Sequence, residues 1–233
     1  MKAMILAAGL GTRLKPLTDT IPKALVEVDG VTLLEQSLVH LKKSGINQVI
    51  INVHHFAGQI IDFLKINHDF GMKITISDES GELLDTGGGL KKASWFFNDR
   101  QPFIVQNVDV ISDLDLNKVL DYHIEMKCLA ALVVKERETS RYFLFDDNLT
   151  LCGWENVKTG ERHIPKQTVT AFRQLAFSGI QVMDPEIFNF ITETGKFSLT
   201  GMYLRLSAEN KIVGFIDRDS YWRDAGKKIP SEQ

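Results

Sequence analysis

The chain has 233 residues, 44% hydrophobic and 24% charged, which suits one globular domain with a core of its own. A formal net charge of −3 excludes a global positive field that would draw it to nucleic acid or to an anionic membrane surface. Its apolar runs are too short for a membrane span or a secretory leader, so a cytoplasmic protein with no nucleic-acid or membrane partner is expected.

Residues 3–8 (AMILAA) form a continuous apolar run, the pattern of a strand buried on both faces. A loop punctuated by glycine and proline follows to Pro22, and then Leu33, Leu34, Leu38 and Leu41 recur at helical spacing until Gly45. Residues 48–53 predict a second buried strand, AGQIIDFLKI a short amphipathic helix and KITIS a third strand. Gly87, Gly88 and Gly89 are expected to interrupt the pattern before another helix. PFIVQNVD predicts a fourth strand ending on Asn107 and Asp109, LNKVLDYHIEMK a helix capped near Asp115, and LAALVVK the next strand. Strands alternating with helices over the first ~135 residues point to βαβ units and a mainly parallel sheet, with ligands at the carboxyl ends of its strands.

Beyond residue 135 the pattern shortens. YFLFD, LTLCGWEN, TGERH and RQLAFSGIQVM predict a β-rich excursion, and Asp184-Pro185 reads as a helix start. A helix from about Leu199, the strand IVGFI and the closing segment YWRDAGKK complete the chain. Cys128 and Cys152 stand apart from any CxxC and read as reduced core residues. No repeat or linker is evident, so residues 1–233 are expected to form one body, with halves meeting near residue 135.

The most informative stretch is LAAGLGTRLKPLTDTIPKAL, residues 6–25. Gly9 and Gly11 remove side chains where a strand turns sharply, which lets backbone N–H groups face one concavity and bind phosphate oxygens. Arg13 adds a planar fork and Lys23 a point charge, the two forms of cation suited to a polyphosphate. A dinucleotide fingerprint does not fit: Leu14 occupies the place of its third glycine, Pro16 would break the following helix, and no acidic residue ends the second strand. GxxxxGK[ST] is absent.

This stretch matches the LAAGxGTRxxPxTxxxPKxL signature of sugar-1-phosphate nucleotidylyltransferases at every defining position. The chain resembles the short members of that family, among them N-acetylmuramate-1-phosphate uridylyltransferases and mannose-1-phosphate guanylyltransferase-like proteins. The resemblance implies an α/β fold: a Rossmann-like nucleotidyltransferase core, its mixed, mainly parallel sheet flanked by helices, with a small β-rich sugar-binding lobe. Residues 1–135 would bind the nucleotide and residues 136–233 the sugar. It implies that Ala8, Gly9, Gly11, Thr12 and Arg13 bind the nucleotide and that Lys23 bridges the reacting phosphates. Asp109 and Asp224 would hold Mg²⁺, an ion that takes one or two carboxylates and completes its shell with water and phosphate.

Two departures from the pattern stand out. Val108 replaces a usual glycine, and Ala225 and Lys227 alter the sequence after Asp224. Thr86, Gly87 and Gly88 would border the nucleobase, while Asn107, Glu161 and Gly179 would meet sugar or ribose. UTP or GTP is the expected donor, with CTP a further candidate, and a sugar 1-phosphate the expected acceptor. With no trimerising domain expected after Asp224, a monomer or homodimer follows. Two other readings remain open at this stage: a cytidylyltransferase for a non-sugar phosphate such as phosphocholine, and a catalytically silent nucleotide-sensing subunit.

Overall fold

Alternation along the first strand explains the layering of the whole molecule. In the computed structural model, which describes residues 1–165 and 171–226, β1 (Lys2–Leu6) sends Ala3 and Ile5 into one hydrophobic cluster and Met4 and Leu6 into another. The period of two along a strand requires this, and a run that is apolar at every position buries both faces.

The remaining elements are β2 (Glu27–Val28), β3 (Val31–Thr32), α1 (Leu33–Lys43), β4 (Gln48–Val53), α2 (Ala57–Ile66), β5 (Lys73–Asp78), α3 (Asp85–Lys92), β6 (Phe103–Asn107), β7 (Val110–Ser112) and α4 (Leu116–Met126). After them come β8 (Ala130–Lys135), β9 (Arg141–Phe145), β10 (Leu151–Asn156), β11 (Glu161–His163), β12 (Arg173–Met183), α5 (Leu199–Leu206), β13 (Ile212–Ile216) and β14 (Trp222–Asp224). Helices α1, α2 and α4 cover one face through Leu34, Leu38, Ile60, Leu64 and Val119. On the other face, Leu90 of α3 and Met202 and Tyr203 of α5 fill the second cluster.

In the main sheet, β5, β4, β1 and β6 run parallel, and β12 lies antiparallel against both β6 and β8. β13 then pairs with β8 in parallel. The eleven residues of β12 join the two parts of the chain: Arg173–Leu175 pair with β9 in a smaller antiparallel sheet, and Ile180–Met183 lie between β6 and β8. An irregularity between Phe177 and Gln181 separates these registers, and Gly179 sits there at φ +79°. A left-handed backbone at a bulge favours glycine.

Two local expectations are corrected. Gly87–Gly89 are buried inside α3 rather than breaking the chain before it. The helix crowds its neighbours so closely that a Cβ at Gly87 would lie 2.4 Å from the Phe197 ring, and one at Gly88 2.4 Å from the Gly195 carbonyl. Asp184-Pro185 opens only a 3-10 turn, Pro185–Phe190, with the Asp184 side chain accepting from Glu186 N at 2.8 Å. One short turn brings Ile187 into the core, and the chain extends again at Ile191. Cys128 and Cys152 are both buried, and burial pushes the Cys128 thiol up to about 11. Among the described residues no helix is long and apolar enough to cross a membrane.

Candidate active site

Three carboxyl-terminal strand ends lie side by side, because Leu6 of β1 pairs with Asn52 of β4 and with Asn107 of β6. The chain leaving β1 is fixed from below: Ala7 N donates to Asn52 Oδ1 at 2.8 Å, and Asn52 Nδ2 donates to Glu79 Oε1 at 2.7 Å. Glu79 is 1% exposed. Burial raises its carboxyl pKa, against the opposing pull of the hydrogen bonds from Asn52 and Leu84 N.

Beyond Ala7 the loop folds through three short 3-10 turns, over residues 12–14, 17–19 and 23–25. Gly11 takes φ +63°, and a Cβ there would stand 2.8 Å from Thr18 Cγ2 and 3.1 Å from Lys23 Cβ. The Thr18 hydroxyl donates to the Gly11 carbonyl at 2.9 Å, closing the loop on itself. Open space surrounds Gly9. Among the described residues the amides of Gly9, Leu10 and Gly11 make no hydrogen bond, which leaves three donors for a ligand.

These amides border a cavity of about 440 Å³, lined from the loop by Ala8, Gly9, Gly11, Thr12, Arg13 and Lys23. Asn52, Leu83, Asp85, Thr86, Asn107, Asp109 and Lys196 form most of the rest of its wall. At its floor the Lys23 ammonium is paired with Asp109. The Arg13 guanidinium lies 3.8 Å from Asp109 Oδ2 and 4.0 Å from Asp224 Oδ2. Asp224 reaches this place because β14 pairs with β7, opposing Asp224 to Val110, and Ala225 N donates to the Asp109 carbonyl at 2.9 Å. Gly226 then passes so close that a Cβ would fall 2.3 Å from Asp109 Oδ2, 2.9 Å from Lys23 Nζ and 3.1 Å from Arg13 Nη2. Lys227 lies outside the described residues.

The other sequence-predicted positions divide between the groove and places outside it. Thr86 lines the groove, and its hydroxyl accepts from Leu199 N at 2.9 Å. The amides of Gly87 and Gly88 donate to the Phe197 carbonyl at 2.9 and 3.2 Å, and neither glycine lines the groove. Gly179 is buried beneath Asn107, where a Cβ would meet Val110 Cγ2 at 2.6 Å. Glu161 is exposed on β11 and bonded to His163 at 2.9 Å, outside the groove. Asn52, Glu79, Lys196 and Gly226 escaped the sequence reading. A buried strand-end asparagine was the one local signal for them.

Two wider cavities adjoin the groove. One of about 870 Å³ shares Asp85 and Thr86 with it and runs past Trp154, His163, Ser198 and Thr200. The other, about 880 Å³, begins at Arg13 and Asp224 and runs along the loop between β8 and β9.

A doubly wound sheet, with an amide-rich turn and paired cations at the carboxyl edge of its strands, defines a phosphate-handling α/β protein. The chain belongs to the Nucleotidyl transferase family, which residues 2–229 match. It is 32% identical over 232 residues to the N-acetylmuramate alpha-1-phosphate uridylyltransferase of Caulobacter vibrioides, covering 96% of this chain and 91% of that protein. It is 30% identical over 244 residues to the UTP–glucose-1-phosphate uridylyltransferase of Synechocystis, of whose length it spans 60%. The structure of HddC from Yersinia pseudotuberculosis complexed with GMP-PN superposes with a TM-score of 0.78, covering 98% of this chain and 94% of that one. At 24% identity that likeness establishes the fold.

Proposed function

We propose that the protein transfers a nucleotidyl group from an NTP to a sugar 1-phosphate, giving an NDP-sugar and pyrophosphate. One observation carries this reading. Arg13, Lys23, Asp109, Asp224 and the Gly226 backbone converge beneath a turn whose amides lack acceptors. A triphosphate laid along that turn meets backbone donors and two cations together. Leu83 and Thr86 then stand beside the base, and Asn107 beside a ribose or sugar hydroxyl. UTP or GTP is the donor that the relatives' names favour. The 870 Å³ cavity beyond Thr86 receives the sugar ring, so the second half of the chain selects the acceptor. Such a product would serve as a precursor of cell-wall or surface polysaccharide.

In the reaction an oxygen of the sugar phosphate attacks the α-phosphorus in line. Its new P–O bond forms as the bond from the α-phosphorus to the bridging oxygen breaks, and that oxygen departs on pyrophosphate with the electron pair. No nucleophilic side chain is needed. Arg13 and Lys23 hold two polyanions together and offset their repulsion.

Asp109 and Asp224 would hold Mg²⁺. The donor set fits in its chemistry: Mg²⁺ takes oxygen ligands and needs only one or two carboxylates, and Asp109 and Asp224 are brought together around Arg13. When bound, the ion supplies charge neutralisation on the phosphates.

The test is pyrophosphate release across a matrix of NTPs against sugar 1-phosphates and phosphocholine with Mg²⁺. Release from at least one pair is expected. Nucleotide binding without any release would replace this reading with a sensing subunit, and release only with phosphocholine would make the chain a cytidylyltransferase of another class.

A further inference from the structure

The 880 Å³ cavity on the far side of Asp224 contains a cation that the chemistry above does not use. Arg13, Arg137, Arg141 and Lys158 line it, against two carboxylates, Glu138 and Asp224. Of these cations Arg137 is the most constrained. Its guanidinium stacks on the Trp222 ring at 4.1 Å, and its Nη2 donates to the Phe177 carbonyl at 2.9 Å. Trp222 is itself anchored, since its Nε1 donates to the Ser178 carbonyl at 2.8 Å. Among the described residues Arg137 Nε is buried without a hydrogen-bond partner, and no carboxylate forms an ion pair with the group. Burial lowers its pKa, and the field of Asp224 opposes that shift.

A half-buried guanidinium whose inner N–H has no acceptor among the described residues is costly to maintain. Stacking offsets part of that cost and fixes the plane, so the remaining N–H groups keep one direction. Trp222 also stands two residues before Asp224 on β14, so the stack ties the β8–β9 loop to the strand carrying that aspartate. A planar, oriented and incompletely paired arginine in a cavity with three further cations matches an oxyanion that arrives with a ligand.

We infer that Arg137 binds the phosphate of the acceptor, on the opposite side of Asp224 from the donor's triphosphate. The inference rests on the transferase reading for the identity of that phosphate. Arg141 lines both this cavity and the 870 Å³ cavity, so one acceptor can place its phosphate by Arg137 and its sugar beyond Arg141.

Arg137→Met and Arg137→Lys test it by steady-state kinetics and by calorimetric titration of glucose 1-phosphate. Methionine should raise the acceptor KM and weaken its binding by about 10–100-fold, the scale of one lost charge-assisted hydrogen bond. The donor KM and the pyrophosphate KM of the reverse reaction should stay within about twofold. Lysine should recover part of the loss. Equal changes in donor and acceptor KM, an acceptor affinity that Arg137→Met leaves unchanged, or undetectable glucose 1-phosphate binding by the wild type would overturn the assignment. If Arg137→Met fails to fold, the soluble Arg137→Lys variant decides through the same split. Failure of the wild type to turn over any substrate pair would sink the transferase reading alone, because the titration still decides the phosphate site.

Discussion

The two sides of the Asp109–Asp224 pair differ in how completely their charges are matched. On the loop side, Lys23 pairs with Asp109, Arg13 spans both carboxylates, and Gly226 closes over them within contact distance. On the side of the β8–β9 loop, arginines line a wide cavity with few partners of their own. A set of charges that holds itself in place needs little reorganisation when a polyphosphate arrives, which is what a constant chemical step requires. An open, partly unmatched set tolerates acceptors of different shape, with each contact supplied by the ligand. In the proposed transfer the tight side is therefore the place for the chemical step, and the open side the place for choice of acceptor.

That contrast can be broken most directly on the tight side. Lys23→Ala removes one of two cations and leaves Asp109 with only its longer contact to Arg13, so turnover should fall by about 10²–10³-fold. Pyrophosphate release measures the loss, and an unchanged circular dichroism spectrum would separate it from unfolding. Wild-type turnover in this variant would mean that the cluster is a structural brace only.

Gly226→Ala sharpens the same comparison without touching any charge. Its Cβ would stand 2.3 Å from Asp109 Oδ2, so the carboxylate must shift, and a displacement near 1 Å costs on the order of 10²-fold in rate. The effect should appear in kcat with little change in stability. An equivalent alanine at Gly58 of α2, which does not line the groove and has nothing within 4 Å, should leave the rate within about twofold of wild type.

At the junction between the two sides, Gly179→Ala forces a side chain into φ +79° and against Val110 at 2.6 Å. A stability loss of about 2 kcal/mol is expected from urea denaturation. The acceptor KM should rise with it, since Gly179 packs beneath Asn107 and divides the two registers of β12. A stable variant with altered acceptor affinity alone would show that the bulge tunes the open side independently.

The smallest effect should come from beneath the groove. Burial raises the Glu79 carboxyl pKa in the folded chain, so the unfolded chain gives up its proton first as pH rises. The stability contribution of the protonated acid is full below the unfolded value and is lost as pH climbs through the raised folded value. Glu79→Gln cannot titrate and retains an acceptor for Asn52. Wild-type stability minus that of the variant should therefore decline with rising pH, tested by urea midpoints between about pH 4 and 7. A difference that does not vary with pH would remove Glu79 as a titrating support of the loop.

Local pattern made much of the architecture legible. The apolar run of β1, the leucine spacing of α1 and the cap at Asp115 each depend on near neighbours in the chain. The same is true of the glycine-rich turn and its two cations, since Gly9, Gly11, Arg13 and Lys23 lie within fifteen residues of one another. Their placement in one cavity follows from a sharp turn at a strand end.

What the sequence could not disclose depends on pairings between distant segments. Asp224 meets Asp109 only because β14 lies against β7, and Gly226 is tight only because that register brings it over the carboxylate. The glycines at 87–89 looked like a chain break, yet close approach of Phe197 and Gly195 gives them a place inside a helix. Glu161 is carried away from the groove by the edge position of β11, and Arg137 meets Trp222 across 85 residues of chain. By itself the sequence determined the strands, the glycine-rich turn and the kinds of charge available. Only the tertiary structure decided which of those charges face one another, because a side chain's partners are set by strand register and packing, and neither is written in its immediate neighbours.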